Sequence, residues 1–341
     1  MSQSSAPKVY ISVLNYNGYR DTIECLESIF RQDYSNFQVI VCDNASSDGS
    51  LEHVMAWASG NEPFQTVDNK LGTLTKPPVI KPIHTKRLEA ASTEASQAPL
   101  NLIPTGSNLG FAGGNNVALR WLIAQGDAEY VWILNNDVVV EPNALSELVA
   151  RTQNKPGCGF CASAVCYYKE PETVQAYAGG YNRWLGLSWH LGELSQYDAN
   201  VSADSLEREV AYAYGASTLV SSSVLEEVGL MNEEYFLYHE ELDWALRAKG
   251  KFTIAVAPKA RVYHKESQSI GNVEKRKSLL AESCFTRGRI LLAWKFFPIA
   301  LPLIYLSITY TLIKRMMSGQ WRNLFVVVKA MLMPGAKVRV S

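Results

Sequence analysis

The sequence predicts an α/β, Rossmann-like fold in which a mostly parallel mixed sheet carries helices on both faces and is followed by an apolar helical tail. Residues 8–59 alternate between apolar runs and segments with helical spacing, which indicates two successive βα units. Beyond residue 157 strand-like periods appear, which indicates a mixed sheet there. From residue 290 the sequence is almost unbroken apolar, which indicates a distinct helical tail.

The first half of the chain repeats a strand, a loop and a helix. An apolar run that ends in polar residues and glycine predicts a strand over 8–18, and Ile23, Leu26 and Ile29 recur at helical spacing within 19–32. The elements that follow are predicted in this order: strand and loop 37–50, helix 51–59, strand 100–104, helix 111–125 before Gly126, strand 129–134, and a helix from Pro142 to 152.

Residues 61–100 interrupt this alternation, because they are rich in Pro, Thr, Ser and Lys and show no sustained period. We therefore predict a long surface insertion at this position. The elements predicted after it in the second half are strands 159–168 and 211–222, helices 223–229 and 240–250, and a strand 252–264.

Composition limits the classes of function. A chain of 341 residues can hold one large α/β domain with an appendage, or two ordinary domains. Its net charge of −1, from 32 basic and 33 acidic residues, gives no electrostatic reason to expect a nucleic-acid partner. The first residues lack the features of a secretion signal, so we expect a cytoplasmic protein.

The cysteines at 158, 161 and 166 invite a zinc interpretation, but the sequence offers no second pair of ligands at suitable spacing. Strand-like alternation around them favours buried free thiols, which suits a reducing compartment.

Polar side chains follow three of the predicted strands. Asn15 and Asn17 follow the first strand, Asp43 follows the second, and Asp137 follows the strand at 129–134. Ligands of open parallel sheets bind beyond the carboxyl ends of the strands, so we expect these side chains to share one site. For each residue taken alone, a turn or cap role is the alternative.

Asp137 lies in the segment 131–142, where an apolar run is broken by two asparagines and this aspartate and then resumes. A carboxylate in such a place needs a partner charge or a metal ion, because its desolvation is expensive. The oxygens of Asn135, Asn136 and Asp137, together with diphosphate oxygens, suit a hard divalent cation. A simple turn cap at Asp137 is the alternative.

Two further segments carry chemistry of the same kind. Asp43 is the type of acceptor that binds a ribose hydroxyl or a base N–H, whereas Asp48 is expected to cap the helix near Ser50. Residues 106–116 contain Asn108, Gly113 and Gly114, and their glycines would let backbone and a helix N-terminus approach a phosphate or sugar.

Glu240, Glu241 and Asp243 bring three acids together beside aromatic residues. In a partly dry cleft they cannot all ionise with equal ease, so one carboxyl is expected to have the raised pKa that suits a general base. A solvated helix N-terminus, where the dipole favours acids, is the alternative.

Seven motifs, in this order, resemble the family 2 glycosyltransferases of the GT-A fold, especially the rhamnosyltransferase-like branch. The resemblance covers residues 8–290. The motifs are SVLNYNG (12–18), VCDNASSDGS (41–50), GSNLGFAGGNN (106–116), ILNNDVVVEP (133–142), YGASTLVSSSVLEEVG (214–229), FLYHEELDWALRAKG (236–250) and VYHKESQSIG (262–271).

The resemblance implies roles for individual residues. Asp43 would hold the nucleotide base or ribose, and Glu241 stands at the position of the catalytic aspartate. Residues 135–137 stand where the family has its Asp-x-Asp metal motif, with Asn135 in place of the first acid and Asp137 as the chief ligand of Mg²⁺ or Mn²⁺. His264 matches the histidine near the diphosphate.

Taken together, the motifs and the resemblance define three groups of candidate residues. The donor-binding candidates are Asn15, Asn17, Asp43, Asn108, Gly113, Gly114 and Asn136. The metal candidates are Asn135, Asp137 and His264. The catalytic candidate is Glu241, and the acceptor region comprises Gly215, Ala216, Glu240, Asp243, Arg287 and Arg289.

The implied reaction is an inverting, metal-dependent transfer of a sugar to a glycan or lipid-linked saccharide in cell-surface polysaccharide synthesis. The favoured donor is dTDP-rhamnose, with UDP-hexoses as the alternative. Because Asn135 and Glu241 depart from the family pattern, a catalytically silent, glycosyltransferase-like membrane scaffold is a second hypothesis. A dehydrogenase would need a Gly-x-Gly-x-x-Gly turn directly after the first strand, which residues 14–19 do not supply.

We expect a catalytic domain over 1–288, with a nucleotide-binding half at 8–150 and an acceptor half at 151–288, and a tail over 289–341. Residues 290–313 would span ~36 Å as one helix, which is enough to cross a bilayer core of ~30 Å.

Three residues interrupt this apolar run, namely Lys295, Pro298 and Pro302, and basic residues flank both of its ends. This pattern favours a bent segment lying in the membrane interface over a simple span. Residues 321–333 add a second apolar stretch. We therefore expect a peripheral enzyme at the inner face of the membrane, with a buried or dimerisation helix as the alternative.

The same interpretation gives Arg287 and Arg289 a role. Their charges would meet a polyprenyl diphosphate that carries the acceptor.

Overall fold

The computed structural model describes residues 6–64, 71–265 and 278–335. In chain order the strands are β1 (Val9–Asn15), β2 (Phe37–Asp43), β3 (Thr85–Arg87), β4 (Leu100–Pro104), β5 (Tyr130–Asn135), β6 (Val138–Val140), β7 (Cys158–Tyr167), β8 (Val174–Ala176), β9 (Ala178–Asn182), β10 (Leu187–Leu191), β11 (Ser217–Ser221) and β12 (Thr253–His264).

The helices complete the predicted α/β pattern. They are α1 (Tyr19–Ile29), α2 (Ser50–Ser59), α3 (Gly110–Gln125), α4 (Ala144–Gln153), α5 (Ala203–Glu207), α6 (Ser222–Glu227), α7 (Glu240–Ala248), α8 (Leu279–Phe296), α9 (Leu301–Met317) and α10 (Trp321–Leu332).

The main sheet has ten strands, nine of them in the order β3-β4-β2-β1-β5-β11-β7-β12-β6, with β8 paired to β7. The five strands at one end of this order, β3, β4, β2, β1 and β5, are mutually parallel. Strand β11 runs antiparallel between β5 and β7, and β12 runs parallel to β7. The predicted mostly parallel mixed sheet is therefore confirmed, and β9 and β10 form a separate hairpin.

Helices cover both faces of this sheet because its strands alternate their side chains between two cores. In β1, Val9, Ile11 and Val13 belong to the core under α1, α2 and α4. Tyr10 points to the opposite core, where its ring meets Trp121 of α3 edge-on at 5.8 Å.

Several predicted elements differ from the structure. Residues 61–100 are not wholly irregular, since β3 pairs with β4 at the edge of the sheet; three residues are too few to show a period. The predicted strand 211–222 is confined to β11, because the chain turns at Gly215, with Ser217 N donating to Tyr214 O at 3.1 Å. The segment before it contains β8, β9, β10 and α5, which carried no sequence signal.

The tail packs on the domain through α8. The domain boundary predicted at residue 288 lies inside this continuous helix. Leu292 of α8 is buried with Tyr212, Tyr235 and Leu242, so α8 and α7 share a core.

The predicted break in the tail is present. Helix α8 ends at Phe296, and a 3₁₀ turn at Pro298–Ala300 leads into α9. Within the described ranges, Pro298–Met317 is the one helical stretch long and apolar enough to cross a membrane by length and composition. Of its most apolar 18 residues, 17% are buried.

Candidate active site

The carboxyl ends of the parallel strands bring the predicted polar residues together. Asn15 at the end of β1 pairs in register with Asp43 at the end of β2, and Leu14 pairs with Asn135 at the end of β5. Asn15 Nδ2 donates to Asp43 Oδ1 at 2.7 Å, and both residues are buried. The sheet register alone therefore assembles one polar edge, as the sequence predicts.

Asp43 and Asn17 hold the two loops of this edge. The second carboxylate oxygen of Asp43 accepts the Ser46 N–H at 3.0 Å. Asn17 has a left-handed φ of 52°, and its Oδ1 accepts the Ser47 N–H at 2.7 Å. Asp48 Oδ1 accepts the Ser50 N–H at 3.1 Å, so it serves the start of α2 as expected.

Asn136 points inward rather than into the cleft. Its Nδ2 donates to Asn15 Oδ1 and to Thr22 Oγ1, each at 3.1 Å. Gly18 lies beside it, since a Cβ there would come within 2.7 Å of Asn136 Nδ2. The amide nitrogen of Asn136 therefore fixes the β1–α1 loop, and its contact with a donor stays a prediction.

The glycine-rich segment also packs against the chain itself. A Cβ on Gly113 would lie 2.7 Å from Leu109 Cβ, and one on Gly114 would lie 2.5 Å from Leu14 Cδ1. Both glycines are buried. Gly113 therefore accommodates the residue before α3, and Gly114 lets α3 approach β1 closely.

A residue that sequence reasoning missed, Asn44, organises the start of α3. Its Oδ1 accepts the Leu109 N–H at 2.9 Å, and its Nδ2 donates to Asn108 Oδ1 at 3.0 Å. Asn108 Oδ1 also accepts the Gly110 N–H at 3.0 Å. These N–H groups are thus satisfied within the protein, which differs from their predicted use by a phosphate.

Asp137 has the partner charge that its position demands. Its Oδ1 lies 3.2 Å from His264 Nε2, and its residue is 3% exposed. Strand β6 pairs with β12 so that Val138 faces His264, which brings the two side chains together. Lys265 N donates to Asp137 O at 3.0 Å.

Electrostatics keep Asp137 ionised. Burial acts to raise the pKa of its carboxyl, but the charge and hydrogen bond of His264, with help from Lys265, hold that pKa below its usual value. Lys265 is itself paired with Asp21 at 2.5 Å and with Glu24 of α1. The buried negative charge of Asp137 is therefore compensated by His264 and Lys265.

One carboxylate oxygen of Asp137 is free to accept a further partner. Asp137 Oδ2 is buried and has no hydrogen-bond partner within the described ranges. The Asn135 side-chain amide lies 3.4 Å from His264 Nε2. No group of three or more His, Cys, Asp or Glu side chains gathers for a metal in the described part of the chain. A cation here would thus draw ligands from Asp137, Asn135 and His264 and from a bound ligand's oxygens.

Gln175, which carried no sequence signal, orients His264. Its Oε1 lies 2.8 Å from His264 Nδ1, and both side chains are buried. Donation from His264 Nδ1 to Gln175 Oε1 fixes the ring so that Nε2 faces Asp137 and Asn135.

Glu241 lies on one side of a short turn, Tyr214–Ala216, and Asn135 lies on the other. A Cβ on Gly215 would come within 1.8 Å of Glu241 Oε1, so only glycine admits the carboxylate there. On the other side of the turn, Asn135 N donates to Ala216 O at 3.1 Å, and the Tyr214 ring lies 6.3 Å from that of His264. The turn that contains Gly215 and Ala216, which the sequence placed in the acceptor region, thus contacts Glu241 on one side and Asn135 on the other.

Glu241 lacks the compensation that Asp137 has. Burial raises the pKa of its carboxyl to about 7. The neighbouring Glu240 is 2% exposed, and burial followed by the charge of Glu241 raises its pKa well above its usual value. The predicted raised pKa among these acids therefore has a structural basis at both positions.

The third acid of this group has another role. Asp243 is fully buried, and its carboxylate pairs with Arg247 Nε at 2.6 Å and with Lys295 Nζ at 2.7 Å. Its acceptor-region prediction is corrected, because one carboxylate oxygen pairs with Arg247 within α7 and the other joins α7 to Lys295 of α8.

Arg287 and Arg289 also differ from their predicted role. Both are buried. Arg287 donates to Pro334 O at 2.5 Å and to Glu234 O at 2.6 Å. Arg289 donates to Leu185 O at 2.6 Å. Their guanidinium groups are thus used to hold the tail, and they do not present open charge to a diphosphate.

A cavity of about 720 Å³ lies apart from this site. It is lined by α7, by the β9–β10 hairpin and by the first residues of β12, whereas His264 stands at the other end of β12. The cavity does not contribute to the polar edge described above.

Comparison with known proteins defines the class. The family model described as "Glycosyltransferase like family 2" matches residues 87–278, and that described as "Glycosyl transferase family 2" matches residues 10–72. The first covers more than half of the chain. The chain therefore belongs to glycosyltransferase family 2.

Two curated relatives give the particular neighbourhood. A low-salt glycan biosynthesis hexosyltransferase of Haloferax volcanii is 25% identical over 226 residues, which is 62% of this chain and 61% of the relative. An N-acetylglucosaminyl-diphospho-decaprenol L-rhamnosyltransferase of Mycobacterium tuberculosis is 26% identical over 186 residues, which is 50% of this chain and 61% of the relative. The chain thus spans about three fifths of the length of these relatives.

Solved structures support the GT-A fold. A mannosyltransferase of Pyrobaculum calidifontis in complex with GDP-Man and Mn²⁺ is 15% identical with a TM-score of 0.51, covering 96% of this chain and 87% of its own. GalNAc-T7 with UDP, GalNAc and Mn²⁺ is 12% identical with a TM-score of 0.53, covering 87% of this chain and 50% of its own.

Proposed function

We propose that this protein transfers a sugar from a nucleotide-sugar donor to an acceptor hydroxyl with inversion at the anomeric carbon. The observation that carries the proposal is the pair of acids on either side of the Tyr214–Ala216 turn, Asp137 ionised and Glu241 with a pKa of about 7. An in-line displacement needs a base at the nucleophile and charge stabilisation at the leaving group.

Glu241 is the proposed general base. Its ionised carboxylate takes the proton of the acceptor hydroxyl while the acceptor oxygen bonds to the anomeric carbon and the bond to the diphosphate breaks. A pKa near the working pH balances the fraction ionised against basicity. Burial is the cause of the raised pKa, so the packing of Gly215 against the Glu241 carboxylate, which partly excludes water, helps to set that pKa.

The Asp137 cluster is the proposed leaving-group side. Asp137, with Asn135 and His264, would hold Mg²⁺ or Mn²⁺, and Gln175 keeps the imidazole oriented. Such a cation, when bound, neutralises charge on a diphosphate. Both structurally similar glycosyltransferases described above were solved with Mn²⁺, which supports this choice.

The donor site is proposed along the polar edge, with Asp43, Asn17 and Asn108 toward the nucleotide. Asn15, Asn136, Gly113 and Gly114 support this edge from behind through the contacts described above. We favour dTDP-rhamnose, which the rhamnosyltransferase relative supports, and retain UDP-hexoses as the alternative in view of the hexosyltransferase relative.

The acceptor is proposed to be a glycan or a lipid-linked saccharide at the inner face of the cell membrane, in polysaccharide synthesis. The name of the rhamnosyltransferase relative supports a polyprenyl-diphosphate-linked acceptor. The exposed apolar side chains of α9 and α10 support peripheral membrane association of the tail.

A nucleotide-sugar panel tests donor and chemistry together. Thermal stability is measured with dTDP-rhamnose, UDP-glucose and UDP-N-acetylglucosamine, each with Mn²⁺, Mg²⁺ or EDTA, and release of nucleoside diphosphate is then followed with acceptor lipid. We expect dTDP-rhamnose with Mn²⁺ to raise the melting temperature and EDTA to abolish the effect, since binding to the native state stabilises it.

Each other outcome has a defined meaning. Stabilisation by UDP-sugars alone would replace the donor assignment. Donor binding with no release of nucleoside diphosphate, with or without acceptor, would favour the silent scaffold over the enzyme.

A further inference from the structure

Exposed apolar side chains are concentrated in two regions of the molecule. One is the tail from Trp294 to Met333, and the other is the β9–β10 hairpin. In the hairpin, Trp184, Leu185, Leu187 and Trp189 are 37% to 46% exposed. Among the described residues outside these regions, the large apolar side chains with comparable or greater exposure are scattered singly, at Met55, Ile80, Ile123 and Leu194.

The hairpin and the tail form one connected surface. Arg289 of α8 donates to Leu185 O at 2.6 Å in the hairpin and to Ser307 Oγ of α9 at 2.8 Å. A Cβ on Gly186 would lie 3.3 Å from the Ile304 side chain of α9. A buried arginine thus fastens the hairpin tip to two tail helices.

Local contacts hold the hairpin tip in one conformation. Asn182 Oδ1 accepts the N–H groups of Trp184 at 3.0 Å and Leu185 at 3.1 Å. Gly186, with a φ of +64°, donates to Asn182 O at 2.8 Å. The indole of Trp189 lies against Gly180, where a Cβ would come within 2.3 Å of the ring. An ordered apolar tip loses little conformational entropy on docking.

We propose that the hairpin tip, Trp184–Leu187 with Trp189, is a second point of contact with the interfacial region of a lipid bilayer, beside α9. This inference rests on the membrane association put forward under the proposed function. Tryptophan prefers the membrane interface because its ring is apolar and its N–H is polar. Arg183 lies over the Trp184 ring at 5.3 Å and is exposed, which places a cation where anionic headgroups would meet it.

A bilayer fits this surface better than a second copy of the chain. The surface joins the helical stretch Pro298–Met317, whose length and apolar composition suit a lipid environment and whose most apolar 18 residues are only 17% buried. Tryptophans beside an exposed arginine match the two chemistries of an anionic interface, apolar acyl chain and phosphate. A dimer remains a defined outcome of the test below.

The test compares the full chain with the double substitution Trp184→Ala and Leu187→Ser. A matched control is Ile123→Ser on α3, which removes an equally exposed apolar side chain from a distant helix. Partitioning is measured by sedimentation with vesicles of phosphatidylcholine and phosphatidylglycerol, and with vesicles of phosphatidylcholine alone. Quenching by brominated lipids, compared between the full chain and Trp184→Phe, reports the depth of this indole.

We expect the double substitution to weaken partitioning by about tenfold and the control to leave it unchanged, since apolar area is lost only at the hairpin. Trp184 should be quenched by the brominated lipid. The thermal shift with donor should stay as in the unsubstituted protein, which separates this inference from the proposed chemistry.

Three results would overturn the inference. Unchanged partitioning of the double substitution would remove the hairpin from the membrane contact, and an equal loss in Ile123→Ser would show a non-specific effect. A full chain that ignores both kinds of vesicle, yet is a dimer by light scattering that the double substitution makes monomeric, would assign the surface to a subunit interface. Thermal melts of both variants verify that they are folded.

Discussion

Asp137 and Glu241 are two acids on either side of the Tyr214–Ala216 turn, and their surroundings shift their pKa values in opposite directions. Asp137 lies 3.2 Å from His264 and next to Lys265, and its pKa is lowered despite burial. Glu241 lies against the backbone of Gly215 with another acid beside it, and its pKa is raised to about 7. The difference separates a permanent anion from a group that exchanges protons at neutral pH.

The contrast shows that the neighbouring groups decide the ionisation of each acid. Asp137 follows β5 and is faced by β12, whose antiparallel pairing with β6 supplies His264. Glu241 is the second residue of α7. The cation Lys295 of α8 forms its ion pair with Asp243 and not with Glu241. One acid is therefore suited to hold charge and the other to move a proton.

The largest effect is expected for Glu241→Gln. The amide keeps the shape of the side chain but cannot accept a proton, so turnover should fall by about 10³-fold to 10⁴-fold. Donor affinity, measured by calorimetry, should remain nearly unchanged. The matched control is Glu240→Gln, one residue away on the same helix.

The control has its own expected result. Glu240 is buried and its raised pKa favours the neutral carboxyl, which an amide resembles, so Glu240→Gln should cost turnover little. Near-normal turnover of Glu241→Gln, or an equal loss in both variants, would remove the general-base role from Glu241.

A smaller loss is expected for Asp137→Asn. This change removes the ionised oxygen aimed at the cation position, so we expect weaker Mn²⁺ binding and a turnover lower by about 10²-fold to 10³-fold. Mn²⁺ affinity is read by electron paramagnetic resonance, independently of activity. The control is Asp204→Asn, whose side chain is exposed on α5. Unaltered Mn²⁺ affinity in Asp137→Asn would place the cation elsewhere.

Turnover should rise about 100-fold between pH 5 and pH 8. With a pKa of about 7, roughly one hundredth of Glu241 is ionised at pH 5, and nearly all of it well above pH 7. Turnover should therefore rise with pH and level off, while Asp137 stays ionised throughout. The residual rate of Glu241→Gln should lack this midpoint. A flat profile in the unsubstituted protein would contradict the assignment.

The fold could be predicted from the sequence because its signals are local. Apolar runs and helical spacing located β1, β2, α1 and α7 within a few residues. The edge strand β3 and the hairpin strands carried too little pattern, since short strands on irregular segments depend on their partners for definition. The break after Phe296 followed from the prolines.

The site was predictable in its residues but not in their partners. Strand-end position identified Asp43 and Asp137, because chain polarity fixes where parallel strands end. Gln175 and Asn44 were missed, as a buried amide gains its role only from the side chain opposite. Arg287 and Arg289 suggested an open cationic patch, and only packing revealed that carbonyl oxygens take their N–H groups.

The smallest effect is expected for Gly288→Ala in α8, and it tests whether the tail helix positions Glu241. A Cβ on Gly288 would lie 2.6 Å from His239 Nδ1, and His239 holds a left-handed φ of 75° one residue before α7. His239 O accepts the Asp243 N–H at 2.8 Å, so a displaced His239 tilts the first turn of α7 and shifts the Glu241 carboxylate. Small displacements of a catalytic group are costly, so we expect a kcat about tenfold lower with an unchanged KM for donor.

Helix propensity favours alanine over glycine in α8, which opposes a loss of stability and separates an effect on kcat from an effect on folding. Gly72→Ala, where a Cβ meets nothing within 4 Å, is the control. If kcat is unaltered in Gly288→Ala, or falls only in proportion to a lowered melting temperature, α8 does not position the base, and the raised pKa of Glu241 depends on α7 and Gly215 alone.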